Sequence, residues 1–396
     1  MATPDSAAQV ALLQEHYLND ATPGLLAFME RKGYTPERYI TAIRAYPEFW
    51  ASVRANTLKG PAYAKDITVA IDQLKSLYPD LRPASIYFTI GALMSGGSTL
   101  NGHVLIGAEI AMADEHTAST EFPDRFRSSL AAYFATNPIN DLVFLNVHEY
   151  VHTQQRGDGG YDLLSQCVYE GVPEFIAELA TGKASPTPCI AYGHANDERV
   201  RSRFAREMFS PHFDGWLYNN MDNEFGTRDL GYYVGYALCE RYYQHAADKS
   251  RAIKDLIELD FADPAAIERF VDSTHYFPTD IRALKEAYDR SRPEVVRISG
   301  FASGDRQVDP AIKRMSITFS QPMSKDHRGF DFGPLGESHV LRIERVVGFS
   351  EDGRTLEVDI ALEPGKQLQV LLTENFRTAE GVPLRPYLVD VTTKSR

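Results

Sequence analysis

The 396-residue sequence is poor in cysteine, poor in positive charge and has no long apolar run. Cys167, Cys189 and Cys239 lie too far apart along the chain for a disulfide framework or a zinc knuckle. One bridge, Cys167 to Cys189, stays open. No stretch approaches the roughly 20 apolar residues that a membrane-spanning helix needs. Lys and Arg number 41 against 54 Asp and Glu, a formal charge of −13. That balance argues against nucleic acid or an anionic membrane as the main partner. The opening, "MATPDSAAQVALLQEHY", has no basic-then-apolar leader. Such a start fits a cytoplasmic protein, and equally a mature secreted chain begun afresh with Met. Internal repeats and low-complexity segments are also missing. What is present, 43% hydrophobic and 24% charged residues, describes a soluble globular protein. Its length calls for two or three domains.

Residues 9–80 carry apolar side chains at three- and four-residue spacing and are expected to be helical. Thr22-Pro23 and Thr35-Pro36 read as helix starts, a capping hydroxyl followed by proline in the first turn. The period then changes. "ASIYFTIGAL" (84–93) and "HVLIGAEIAM" (103–112) are β-rich, separated by the Gly-rich "MSGGSTLNG", read as a turn. Helical spacing returns from "PINDLVFLNVHEYVHTQQ" to about residue 291. Beyond "DRSRPEVVRISG" (289–300), short alternating runs recur every eight to twelve residues, the pattern of a small β-sandwich. The expected fold class is α+β, divided into 1–83, 84–291 and 292–396.

The chemistry concentrates in "LNVHEYVHTQQ" (145–155). On a helix, positions i and i+4 share a face with Cβ atoms about 5–6 Å apart. His148 and His152 can therefore converge on one Zn²⁺. Glu149 lies about 100° round the helix; it cannot readily ligate the same ion, but it can reach a water beside it. An ordinary helix carrying this pattern by accident is the competing reading. The apolar flanks "LVFLNV" and "YV" weigh against that, because a buried His-Glu-His set needs polar partners or a metal. A third ligand is expected from another helix, "LLSQCVYEGVPEFIAELATG" (163–182). It offers Glu170, Glu174 and Glu178 on one stripe.

His148-Glu-x-x-His152 followed by Glu170 resembles the gluzincin metallopeptidases, which include thermolysin and the aminopeptidase N group. The stretch "YEGVPEF" keeps their Glu170-Gly171 pair, with Tyr169 in place of Asn and Pro173 in place of Ala. The resemblance implies a mainly helical zincin-like domain with a small mixed sheet. It makes Glu170 the third zinc ligand, with Glu174 as fallback, and gives Glu174 the orienting of His148. It also implies a tyrosine facing the oxyanion: Tyr232 of Tyr232-x-x-Gly235, with Tyr233 or Tyr236 as substitutes. Substrate would add as a strand to a sheet edge, expected at 103–112. "IGAEIAM" is loosely similar to the Gly-Ala-Met-Glu-Asn stretch of those aminopeptidases, which puts Glu109 forward as an anchor for a peptide N-terminus. The implied reaction is peptide hydrolysis with one catalytic Zn²⁺, a metal-activated water and Glu149 as general base. Residues 1–83 match no family and would serve as a lid or wall of the cleft.

The tail "RPEVVRISGFASGDRQVDPAIKRMSITFSQPMSK" is similar to bacterial Ig-like domains of the surface-layer (SbsA) type, with "ITFSQPM" as the shared core. Such domains occur mostly on exported bacterial proteins, which favours a periplasmic or extracellular site. Two other readings stand beside the peptidase. One is an inactive zincin whose Ig-like module binds or adheres. The other is epoxide opening, known from one branch of the aminopeptidase group. Peptide or protein is the expected partner; oligomeric state is not read from these patterns.

Overall fold

The computed structural model describes residues 5–157 and 159–395. The chain is α+β and divides into two compact units: residues 1–204 with 212–278, and residues 205–211 with 279–396.

The first unit opens with five helices: α1 (Ser6–Leu13), α2 (Pro23–Lys32), α3 (Pro36–Ala45), α4 (Pro47–Thr57) and α5 (Ala64–Leu77). The expected caps are in place. Thr22 Oγ1 accepts from Leu25 N at 3.1 Å and Thr35 Oγ1 from Arg38 N at 3.3 Å, each ahead of a proline at the first helical position. Three strands follow, β1 (Ser85–Thr89), β2 (Gly97–Leu100) and β3 (His103–Gly107), in the order β1-β3-β2. β1 runs parallel to β3 and β2 antiparallel.

Here the structure corrects the sequence reading twice. The stretch 94–102 is not one long turn. Asn101 and Gly102, at φ 52° and 74°, make the tight hairpin that lets β2 fold back on β3. Nor is 103–112 an edge strand. β3 is central, and after Gly107 the chain enters a short helix, α6 (Ala108–Ala111). The open edge beside the motif helix belongs to β2.

The remaining helices of the first unit are α7 (Asp124–Ala135), α8 (Leu142–His152), α9 (Leu163–Thr181), α10 (Pro188–Ala195), α11 (Asp197–Phe204), α12 (Leu230–His245), α13 (Lys249–Ile257) and α14 (Pro264–Thr274). α9 is the buried axle, flanked by α8 and α12. α9 and α12 meet backbone to backbone. A Cβ on Gly171 would lie 2.1 Å from the carbonyl carbon of Gly235, and one on Gly235 would lie 1.8 Å from Cys167 O. Only glycine permits that approach. Cys167, Cys189 and Cys239 are all buried and free, so the bridge left open by the sequence does not form.

The second unit holds α15 (Ile281–Ser291) and seven strands: β4 (Val295–Ser299), β5 (Arg314–Phe319), β6 (Phe330–Asp331), β7 (Arg342–Phe349), β8 (Thr355–Ala361), β9 (Gln367–Leu372) and β10 (Tyr387–Thr392). They form two sheets, β4-β5-β8-β7 and β10-β9-β6. One apolar core joins both: Met315, Ile317 and Phe319 of β5 and Leu356, Val358 and Ile360 of β8, with Leu368, Val370 and Val389 from the other sheet. The alternation read from "TLEVDIAL" is the inward-outward alternation of β8.

The unit begins at Thr279 rather than at 292, and it recruits 205–211. The reason is α15. Its Tyr288 is buried with Phe209 5.7 Å away, and the carbonyls of Asp289 and Ser291 take hydrogen bonds from Arg385 and Gln321.

Candidate metal centre

α8 ends at His152 and presents His148 and His152 on one face, their ring centroids 4.9 Å apart. α9, capped by Asp162, brings Glu170 opposite them. Glu170 Oε2 lies 3.3 Å from His152 Nε2 and 3.8 Å from His148 Nε2. All three donor atoms fall within 4.8 Å of one another, and all three residues are buried. Bonds of about 2.0–2.1 Å at a tetrahedral angle would place ligand atoms about 3.4 Å apart. The group therefore has the spacing and donor chemistry to hold a metal ion.

The outer nitrogens are held as well. Glu174 Oε2 is 2.9 Å from His148 Nδ1, so Nδ1 carries a proton; when the ring is neutral, that leaves the lone pair on Nε2, toward Glu170. Glu174 is fixed in turn by hydroxyl donors from Ser185 and from Thr187, the latter at 2.6 Å. It sits behind His148 and cannot be the third ligand in this arrangement.

Charge makes the same point. Glu149, Glu170 and Glu174 are all buried, and with His148 and His152 neutral the nearby Lys32 offsets only one of the three charges. Uncompensated buried carboxylates are costly, and a divalent cation is the simplest compensation. Burial would disfavour the charged form of Glu170, yet His152 and His148 hold its pKa well below the usual range. Burial also works against charge on His148, but Glu170 and Glu174 outweigh it and raise it to about 10. Glu149 goes the other way: burial lifts it, opposed by His152 and His148. A carboxylate with raised proton affinity suits a general base.

Glu149 lies against β2. A Cβ on Gly97 would be 2.3 Å from Glu149 Oε1, so glycine lets the edge strand pass directly over this carboxylate.

Tyr232, in the first turn of α12, has its ring 6.3 Å from His148. The substitutes face elsewhere: Tyr233 donates to Asp197 and Tyr236 to Glu178. The Gly171–Gly235 crossing is what carries Tyr232 this close to the centre.

Glu109 does not face the cleft. Its side chain is fully buried, and its two oxygens accept from Gly91 N at 2.9 Å and Leu93 N at 3.2 Å. It ties down the loop after β1, and burial lifts its carboxyl to about 7. That geometry makes Glu109 a tie for the loop after β1 and not an anchor for a peptide N-terminus.

Two residues escaped the sequence reading. Tyr218 donates to Glu170 Oε1 at 2.6 Å, with Gln166 Nε2 reaching both of them. The residue is 59% exposed and its backbone is left-handed, φ 57°. Nothing in "GWLYNNMDNE" announces this, because a loop with left-handed backbone has no period to read. Gln155 sits directly after the motif. Its Oε1 is 2.7 Å from His152 Nδ1.

Beside Tyr218 opens a cavity of about 680 Å³, lined among others by Arg38, Tyr46, Phe122, Phe126 and Leu130. That volume is in the ligand-binding range of about 300–1,000 Å³. Arg38 and Thr41 come from α3, so the N-terminal helices supply part of its wall.

No helix among the described residues is long and apolar enough to cross a membrane. No family model matches this chain, and no curated protein matches it. Two solved structures are similar to it. One is surface layer protein SbsC, domains 1-6, 13% identical over 84% of this chain and 45% of that one, at a TM-score of 0.20. The other is the S-layer protein rSbsC, 14% identical over 98% of this chain and 46% of that one, also at 0.20. The chain spans less than half the length of either, and a likeness this low assigns no fold.

Proposed function

We propose that the chain is a zinc-dependent peptidase, with a zincin-like first unit and an Ig-like second unit. The observation that carries this reading is the buried His148, His152 and Glu170 group with Glu149 beside it under an open strand edge. His148 Nε2, His152 Nε2 and Glu170 Oε2 would hold the ion. Once bound, Zn²⁺ supplies Lewis acidity toward a carbonyl and a water of lowered pKa.

The protein's own groups do the rest. An extended peptide would add as a strand along the outer edge of β2, where Gly97 O already accepts from Ser95 Oγ, and this would set a scissile amide over Glu149. Glu149 takes a proton from the attacking water and delivers it to the leaving amine. The Tyr232 hydroxyl donates to the developing oxyanion. The cavity beside Tyr218 takes the chain that continues past the scissile bond. For localisation, the likeness of the tail to exported Ig-like modules favours the periplasm or the exterior.

The test is metal content of the purified protein, followed by digestion of a peptide library with and without chelator. One equivalent of zinc and chelator-sensitive cleavage are expected. Glu149→Gln should keep the zinc and lose about 10²–10⁴-fold in rate. Cleavage at the parent rate by that variant would remove Glu149 from the mechanism, and cleavage unaffected by chelator would remove the metal.

A further inference from the structure

α9 runs from Leu163 to Thr181 with Pro173 in its interior. Proline has no backbone N–H, so the carbonyl four residues earlier loses its helical donor. Here that carbonyl belongs to Tyr169, one residue before the ligand Glu170. Gln155 supplies a donor instead: its Nε2 reaches Tyr169 O at 2.9 Å in a buried bond. The other end of the same amide meets His152, with Oε1 2.7 Å from Nδ1.

The polarity of this chain follows from donor and acceptor chemistry alone. A carbonyl oxygen only accepts, so the amide must turn its NH₂ toward Tyr169. That leaves Oε1 toward His152. An amide oxygen also only accepts, so Nδ1 must carry the proton. In the neutral, ligating form of the ring the lone pair is thereby on Nε2, the atom 3.3 Å from Glu170 Oε2.

We propose that Gln155 is the positioning residue of His152, and that Pro173 belongs to the same device by opening the Tyr169 carbonyl that orients the amide. His148 and His152 are then held by different means. His148 has a carboxylate behind it, whereas His152 has a neutral amide whose direction is set by a break in the neighbouring helix ladder. The inference rests on the reading of this cluster as a metal site and does not depend on what reaction occurs there.

A merely structural role, covering a carbonyl, is the alternative, and Pro173 separates the two. Pro173→Ala returns a backbone N–H to Tyr169 O but nothing to His152. Four proteins are compared: parent, Gln155→Ala, Pro173→Ala and the double variant. Zinc affinity is read by competition with a chelating dye, and urea midpoints are read on metal-free protein. Gln155→Ala is expected to weaken zinc by about 10–100-fold and to lower the urea midpoint. In the double variant the midpoint recovers while zinc binding stays weak. Recovery of both, or parent-like zinc affinity in Gln155→Ala, overturns the proposal. Should Gln155→Ala alone not fold, the double variant set against Pro173→Ala gives the same comparison. If the parent binds no zinc, the metal reading itself fails. In that event ¹⁵N shifts of His152 in metal-free parent and double variant still decide whether Gln155 holds the proton on Nδ1; unchanged shifts count against it.

Discussion

Tyr218 shows how a single side chain can be spent on a site. A left-handed backbone costs a non-glycine residue about 1–3 kcal/mol, and the residue as a whole is exposed, so packing explains little of the conformation. The phenol on Glu170 Oε1 explains it. Tyr218→Phe keeps the ring and removes that bond; zinc affinity should fall about 10-fold with the urea midpoint almost unmoved, both read on purified protein. Glu109 allows a pH prediction. Its folded pKa, about 7, stands above the ordinary 4.5. Between those values the unfolded chain has released the proton and the folded chain still holds it. Stability is therefore highest below the lower value, declines as pH rises through the window, and levels off above the upper one. The total loss is on the order of 3 kcal/mol. Urea unfolding at pH 5, 6, 7 and 8 should show this slope in the parent and a flatter one in Glu109→Gln.

Among the elements, the α9–α12 pair governs the geometry of the centre. Replacing a helical glycine by alanine is ordinarily favourable by about 1 kcal/mol. At Gly171 and Gly235 the added methyl would lie 1.8–2.1 Å from the partner backbone, and overpacking of that kind costs about 3 kcal/mol or more. The clash wins. Gly171→Ala and Gly235→Ala should each destabilise by about 2 kcal/mol net in urea unfolding. A Gly171→Ala variant as stable as the parent would refute the close crossing. The strand assignments teach a related lesson. β2 is built from Gly97, Ser98, Thr99 and Leu100, residues that read as turn by composition. Its identity comes from pairing with β3, which composition does not report. The Asn101-Gly102 hairpin signal is present in the sequence but sits inside a longer Gly-rich stretch. Composition therefore points to β3 as the edge, one strand too far in.

For the molecule as a whole, the centre lies entirely within the first unit, joining helices from 142 to 245. A ligand that binds only the folded state stabilises it by about 2.7 kcal/mol at 100 times its Kd. Zinc at that excess should raise the thermal midpoint of the first unit by about 5 °C, and chelator should return it. A midpoint indifferent to zinc in calorimetry would count against the site. The second unit is simpler to read. Its central strands β5 and β8 follow the two-residue alternation of the sequence, because each turns one face to the core and one away from it.

Local pattern carried a large part of this protein. Helical and two-residue periods are properties of consecutive residues, so the capped N-terminal helices, the alternating strands of the tail and the motif helix with His148, Glu149 and His152 could be read directly. Glu170 and Glu174 were reachable through a stripe on one helix and a resemblance. Other features depend on residues far apart in sequence meeting in space. Tyr218 on Glu170, the edge position of β2 over Glu149, the burial of Glu109 behind the loop after β1, and the amide of Gln155 between His152 and a proline-broken ladder are contacts across elements. Their partners are chosen by packing, which no single stretch of chain encodes.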